Sequence, residues 1–173
     1  YSANAKISAS KVGSGITIMG YAGITGQDVA PHSIDIFHQN SIRQIQVNLA
    51  GKTCPITTSL SATNATPVVA ALTNYTIPIT TPFELTGSAT DANAGDVLTY
   101  CWEQDDAGTS ATTGNNSVAS PTKTVGPNWL SFSPTTNPTR IFPRLATVLA
   151  GNSVTGPLPG GDAIANIEAL SSV

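Results

Sequence analysis

The residues most open to chemistry lie near the start of the chain, in the segment 14–23, which reads SGITIMGYAG. This segment holds the only methionine, Met19, next to a glycine, and Tyr21 follows two residues later. A buried phenol usually finds a hydrogen-bond partner, and a methionine is a soft apolar group that fills irregular spaces. The pattern predicts a glycine-flanked turn that carries Met19 and Tyr21. An ordinary packing role is the alternative for each side chain.

The two histidines do not form a zinc-binding pattern. His32 and His38 are six residues apart, and the sequence His-Glu-x-x-His occurs nowhere in the chain. A zinc site needs three or four ligands that converge on the metal. We therefore expect His38 to be a structural hydrogen-bonding residue and His32 to lie in a surface loop.

A second candidate metal site is the segment 91–96, which reads DANAGD. Asp91, Asn93 and Asp96 could supply oxygen ligands to Ca²⁺. The pattern of a complete calcium-binding loop is absent, so a polar turn held by Asp and Asn side chains is the alternative.

The two cysteines, Cys54 and Cys101, are an even number in a chain rich in Thr and poor in Lys. That composition fits an exported protein with one disulfide, and two free buried thiols are the alternative. If residues 97–103 alternate as a regular strand, Cys101 points away from Trp102 and is free to meet Cys54.

Composition excludes several classes of function. Only 10% of the residues are charged and the net charge is -3, so neither a nucleic-acid-binding face nor a patch for anionic lipid is expected. No apolar run approaches the ~20 residues of a membrane-spanning helix. The 15 Gly and 12 Pro exclude a coiled coil, and the 40% hydrophobic content argues against disorder.

The elements that would position these residues differ between the two halves of the chain. Ile42, Ile45 and Leu49 form one apolar stripe, which predicts a helix over 40–50 with Asn40 as N-cap and Gly51 as the stop. Residues 55–67 lie between prolines and predict an extended linker. Beyond them we expect short strands at 68–71, 75–79, 83–87, 97–103, 130–132 and 140–142, with 146–149 ambiguous.

The strand pattern indicates an immunoglobulin-like sandwich. The segments 83–87 and 97–103 alternate in polarity, and the turn-rich segment 91–96 predicts a hairpin between them. Trp102 is expected in the core, whereas Trp129 either packs or contacts carbohydrate. The loop 105–128 is unusually long, and no closing strand is expected in 151–173. The strands are fewer than the about seven of a complete sandwich, so the fold is expected to be incomplete.

Several of these segments resemble one family. The segment 14–23 resembles the Met-turn of metzincin zinc peptidases, and SIDIFHQNSIRQI at 33–45 is similar to the segment after the Met-turn in reprolysin-like secreted bacterial members. LTYCWEQ at 98–104 and FSPTTNPTR at 132–140 resemble the β-domain that follows in the same proteins. The resemblance implies an α+β fragment: residues 1–54 as the C-terminal part of the catalytic domain with its last helix, a linker at 55–67, and a β-sandwich at 68–173.

The resemblance also implies roles for single residues. Met19 would be the apolar floor beneath a zinc ion, and Tyr21 a donor to the oxyanion or an extra zinc ligand. The stretch after the turn would form part of the substrate-pocket wall. A Cys54–Cys101 bridge would clamp the catalytic domain's last helix to the β-domain.

The zinc ligands themselves, in His-Glu-x-x-His-x-x-Gly-x-x-His, are absent from this sequence and are expected upstream of Tyr1. The function expected from the resemblance is part of a secreted or cell-surface bacterial zinc endopeptidase, with protein or peptide substrates, inactive as this chain alone. The alternative is a non-catalytic extracellular binding or adhesion module.

Overall fold

A computed structural model describes residues 10–173 of the 173-residue chain. The first nine residues of the expected catalytic part, Tyr1 included, lie outside this described range. The fold is a small α+β arrangement of few helices and short antiparallel strand pairs. In chain order its elements are α1 (Gln39–Ala50), β1 (Val68–Val69), β2 (Phe83–Thr86), β3 (Ala89–Thr90), a 3-10 helix (Gly114–Ser117), β4 (Thr139–Phe142), α2 (Leu145–Leu149), β5 (Val154–Thr155) and β6 (Glu168–Ala169).

The helix expected at 40–50 is confirmed as α1, but its cap is a different residue. The Nδ1 atom of His38 accepts a hydrogen bond from the backbone N–H of Asn40 at 3.1 Å, so His38 and not Asn40 is the N-cap. Asn40 already lies in the first turn, where its Nδ2 donates to Ser10 Oγ at 2.8 Å. Gly51 follows the last helical residue, as expected.

The apolar stripe of α1 is not covered by any described segment. Only Asn40 and Ser41, in the first turn, are buried, while Ile42, Ile45 and Leu49 are exposed. The first turn therefore fixes α1 to the rest of the chain, because the helix residues after Ser41 are not buried.

The strands form three separate two-stranded antiparallel sheets, and the expected hairpin is wrong. β2 pairs with β4, with Phe83 opposite Phe142, rather than with residues 97–103. The reason is aromatic packing: the rings of Phe83 and Phe142 stack with centroids 4.8 Å apart, and Trp129 meets both rings edge-on. The segment 97–103 makes one isolated bridge, between Tyr100 and Thr135.

Other strand predictions met mixed outcomes. β1 confirms part of 68–71 and pairs with β3, whereas the described residues 75–79 form no strand. Trp102, expected in the core, is only half-buried, and its Nε1 donates to Pro138 O at 2.9 Å. Trp129 packs in the aromatic cluster, as one of its two alternatives predicted.

The C-terminal segment 151–173 contains two short strands, β5 and β6, that its Gly- and Pro-rich composition did not predict. β5 pairs with β6, so the expectation of no closing strand in 151–173 is wrong. The ambiguous segment 146–149 lies in the short helix α2. A buried carboxylate ties these elements together: Glu168 accepts from Arg140 Nη2 at 2.8 Å, from Arg144 N at 2.8 Å and from Thr155 Oγ1 at 3.1 Å.

One hydrophobic core joins residues on both sides of the predicted linker. It contains apolar side chains from near the start of the chain together with others from 118–169: Val12, Ile16, Val29, Ala30, Val118, Ala119, Leu130, Ala165, Ile167 and Ala169. The described linker residues 55–67 have no helix or strand. The linker therefore separates the chain in sequence but does not divide the core.

The long loop 105–128 is held by a half-buried lysine, Lys123. The Nζ atom of Lys123 donates to the carbonyl oxygens of Ser117, Val118 and Pro127, at 2.9, 3.2 and 2.8 Å. These bonds place Val118 and Ala119 in the core. Between residues 10 and 173, no helix has both the length and the apolar content that crossing a membrane requires.

Candidate functional site

The segment 14–23 folds as the predicted tight turn. The N–H of Gly20 donates to Thr17 O at 2.7 Å, so Met19 is the third residue of a β-turn. The N–H of Tyr21 donates to Ser14 O at 2.9 Å, which closes a wider loop around that turn. Backbone bonds from Ile18 N to Ile36 O and from Ile34 N to Ile16 O tie the turn to the segment that leads into α1.

Ser14 is the hub that holds the turn to the core. Its backbone N–H donates to Gln27 O at 3.0 Å, and its Oγ accepts from Val29 N at 3.2 Å. Val29 is fully buried. These hydrogen bonds therefore tie the turn that carries Met19 to the hydrophobic core.

Position 23, where the loop after the Met19 turn approaches Pro31, requires a glycine. Gly23 has φ +87, and a Cβ atom added there would meet the carbonyl oxygen of Pro31. Both the backbone conformation and the close approach exclude a side chain. The sequence pattern marked the glycines of 14–23 as turn residues, which this geometry confirms for Gly23.

The side chains of Met19 and Tyr21 are partly exposed at the protein surface. Met19 is 37% exposed and Tyr21 41% exposed, and Ile18 beside them is exposed as well. Further along, Ile24 and Phe37 are also exposed. The turn thus presents a partly open apolar surface with one phenol, and the core-filling alternative for Met19 does not hold in this structure.

Sequence reasoning missed a carboxylate that shapes the loop after the turn. Asp28 accepts from Thr25 N at 3.1 Å and from Thr25 Oγ1 at 2.7 Å, and its own N–H donates to Asp162 Oδ2 at 2.7 Å. The spacing Thr-x-x-Asp is a local signal for such a turn. The Asp162 contact has no local signal, since it joins residues far apart in the chain.

A second missed cluster lies at the start of α1. Glu103 Oε2 accepts from Gln39 N at 2.6 Å, and Glu103 Oε1 lies 4.0 Å from His38 Nε2. Lys11 is buried nearby, and burial lowers its pKa to about 8, opposed by the charge of Glu103. His38 makes the structural hydrogen bond that was expected of it, and His32 is exposed, also as expected.

The calcium candidates Asp91, Asn93 and Asp96 lie in a turn where two of their side-chain oxygen atoms already accept hydrogen bonds. Asn93 N donates to Asp91 Oδ1 at 2.8 Å, and Asn93 Oδ1 accepts from Ala65 N at 2.7 Å. Asn93 Nδ2 also donates to Thr63 O at 3.1 Å. Asn93 therefore fastens the linker, while the side chain of Asp96 makes no hydrogen bond to other described residues.

Cys54 and Cys101 are both free thiols in the structure, so the predicted disulfide is not formed there. Sγ of Cys101 donates to Phe132 O at 3.2 Å. Burial and, secondly, the charge of Glu103 raise the pKa of Cys101 to about 11, against the opposing effects of Arg140 and this hydrogen bond. The thiol of Cys101 is thus mostly protonated at neutral pH.

Within residues 10–173, no three or more His, Cys, Asp or Glu side chains are grouped so that they could hold a metal ion. Comparison with protein-family models, with curated proteins and with solved structures finds no match for this chain.

Proposed function

We propose that this chain is part of a secreted bacterial zinc endopeptidase of the reprolysin-like metzincin type, and that it supplies the floor of the active site and not the metal ligands. In this proposal, residues 1–54 are the C-terminal part of the catalytic domain. Residues 68–173 are an immunoglobulin-like accessory domain joined by the linker. The substrate is a protein or peptide, and the chain alone does not cleave it.

The observation that carries the proposal is the setting of Met19. It stands in a tight turn closed by the Gly20–Thr17 hydrogen bond, and its side chain faces outward on an apolar surface. An apolar floor must be rigid and must be open on the side where the metal ligands sit. Ser14 and the buried Val29 supply the rigidity, and the exposure of Met19 supplies the open side.

The residues of this chain fit the supporting part of a zinc site only. No group of three ligand side chains lies among the described residues, and in this proposal the ligands belong to a segment ahead of Tyr1. When bound, the zinc ion would supply the activation of water for hydrolysis. Tyr21 would donate its phenolic O–H to the negative oxygen that develops on the attacked carbonyl.

The test uses the complete gene product. Its sequence ahead of Tyr1 should contain His-Glu-x-x-His-x-x-Gly-x-x-His, and the purified protein should hold about one zinc ion per chain. Tyr21→Phe should lower kcat for a protein substrate by roughly ten- to a hundredfold, with the zinc content unchanged. The matched control is Tyr75→Phe, because Tyr75 is an exposed tyrosine far along the chain.

The competing function is the non-catalytic extracellular binding or adhesion module. A complete gene product without the zinc motif, or without zinc and peptidase activity, would favour it and remove the peptidase proposal. Unchanged kcat in Tyr21→Phe would remove only the catalytic role of Tyr21.

A further inference from the structure

The N-cap of α1 is a histidine, His38, and one of its titratable ring nitrogens accepts the capping hydrogen bond. The backbone N–H of Asn40 points to Nδ1 of His38 at 3.1 Å, so Nδ1 must carry a lone pair and no proton. In the neutral ring the proton then lies on Nε2, which faces Glu103 Oε1 at 4.0 Å. The His38 side chain is 3% exposed, so water cannot replace the cap.

The charges around His38 come from three segments of the chain. Lys11, 6% exposed, approaches from the loop before the Met19 turn, and its Nζ has no hydrogen-bond partner among the described residues. Glu103 and Asp105 approach from the segment after Trp102. On the helix itself, Arg43 is bonded to Asn40 Oδ1 at 2.7 Å.

Glu103 is the contact that joins the helix to the second half of the chain. Its Oε2 accepts from Gln39 N at 2.6 Å, which places a carboxylate at the positive end of α1. Its Oε1 is buried and has no hydrogen-bond partner among residues 10–173. The same few atoms therefore cap the helix and anchor it.

We propose that His38 is a pH-sensitive latch: a proton on Nδ1 removes the acceptor that caps α1 and loosens the first turn of the helix from its anchor on Glu103. The protonated ring would have a donor where Asn40 also offers a donor. It would also place a second cation beside Lys11 at the helix end that disfavours positive charge. Among the described residues, the carboxylates of Glu103 and, to a smaller extent, Asp105 offset these costs in part.

The direction of the pH dependence follows from the environment of His38. Burial lowers the pKa of His38 below its usual 6.5; Glu103 raises it, Lys11 lowers it, and Asp105 raises it. Because the folded protein binds this proton less readily than the unfolded chain, the cap is intact above about pH 6.5 and its contribution is lost as the pH falls. A carboxylate cap would not titrate in this window.

The experiment measures hydrogen exchange of the α1 backbone amides in this chain from about pH 7 to about pH 4.5, corrected for intrinsic exchange rates. In the native sequence the protection of the first-turn amides should fall about five- to tenfold, the size expected for loss of an N-cap. His38→Asn should keep the protection constant, because Asn caps helices well and does not titrate. His32→Asn, at the exposed histidine, is the control and should behave as the native chain does.

Two outcomes would overturn the latch. One is the same loss of protection in His38→Asn as in the native chain, which would assign the effect to Glu103 or other carboxylates. The other is an NMR titration of native His38 in which the ring takes up its proton and the Asn40 amide shift does not change. The second measurement needs no variant, so it applies even if His38→Asn fails to fold. Neither measurement involves zinc or peptidase activity, so the latch and the proposed function fail separately.

Discussion

At the scale of single residues, the carboxylate of Glu168 is buried and fully engaged in hydrogen bonds. It is 0% exposed and accepts hydrogen bonds from Arg140, Arg144 and Thr155. Arg140 in turn donates to Trp102 O at 2.8 Å and to Leu130 O at 2.7 Å, and its guanidinium lies 4.5 Å from the centre of the Phe142 ring. This ion pair and its hydrogen bonds therefore hold five segments of the second half together.

Removing the charge of Glu168 should be costly. Glu168→Gln leaves Arg140, whose side chain is 12% exposed, without its counter-charge, and we expect the free energy of unfolding to fall by about 3–5 kcal/mol. The measurement is urea denaturation followed by tryptophan fluorescence. Glu84→Gln, at an exposed glutamate of β2, is the matched control and should change stability by less than about 0.5 kcal/mol. A loss below about 1 kcal/mol in Glu168→Gln would show that the ion pair contributes little.

The residues that sequence reasoning singled out were those with local signals. Met19 and Tyr21 were placed correctly in a turn, because the glycines around them restrict the backbone whatever the rest of the chain does. Lys11 and Glu103 carry no such signal, since the burial of Lys11 and the half-buried position of Glu103 arise from contacts between distant segments. The sequence predicts Asn40 as the cap on α1 because Asn is a common N-cap, whereas in the structure the His38 ring, two residues earlier, is the cap.

At the scale of elements, the sequence patterns predicted α1 and the positions of β1, β2 and β4, but not β3, β5 or β6. A twelve-residue helix satisfies its own backbone, so its pattern is visible in sequence. The strands β1, β3, β5 and β6 are two residues long and depend on partners elsewhere. The pairing of β2 with β4 is set by the aromatic cluster around Phe83, which no local pattern reveals.

The stability of the loop after the Met19 turn depends more on Gly23 than on Gly26. Gly23→Ala should destabilise the chain by more than about 1 kcal/mol, because φ +87 disfavours a side chain and Pro31 O occupies the space. Gly26→Ala is the control in the same loop: nothing lies within 4 Å of its added Cβ, so we expect a change of at most about 0.5 kcal/mol or a small gain. Hydrogen exchange of the Gly20 and Tyr21 amides would report the turn directly. Equal effects of the two substitutions would contradict this account.

At the scale of the whole molecule, the structure combines a shared core with large uncovered apolar surfaces. Ile167 and Ala169 near the C-terminus pack in the same core as Val12 and Val29. Backbone hydrogen bonds also join the N-terminal and C-terminal parts of the chain, since Leu158 N donates to Val29 O at 3.0 Å. The apolar stripe of α1 and the surface beside Met19 remain open, and in the proposed peptidase the catalytic segment with the zinc ligands would pack against them.

The shared core predicts how the chain behaves when its linker is cut. Residues 56–64 are exposed and without helix or strand, so a protease of broad specificity such as subtilisin should cleave there first. We expect the two pieces to stay together on gel filtration in native buffer with reductant, because core packing and not a Cys54–Cys101 bridge would hold them. In denaturing urea they should separate, which is the control. Pieces that separate in native buffer would instead mean that residues 10–54 and 68–173 are independent units, as two separate domains require.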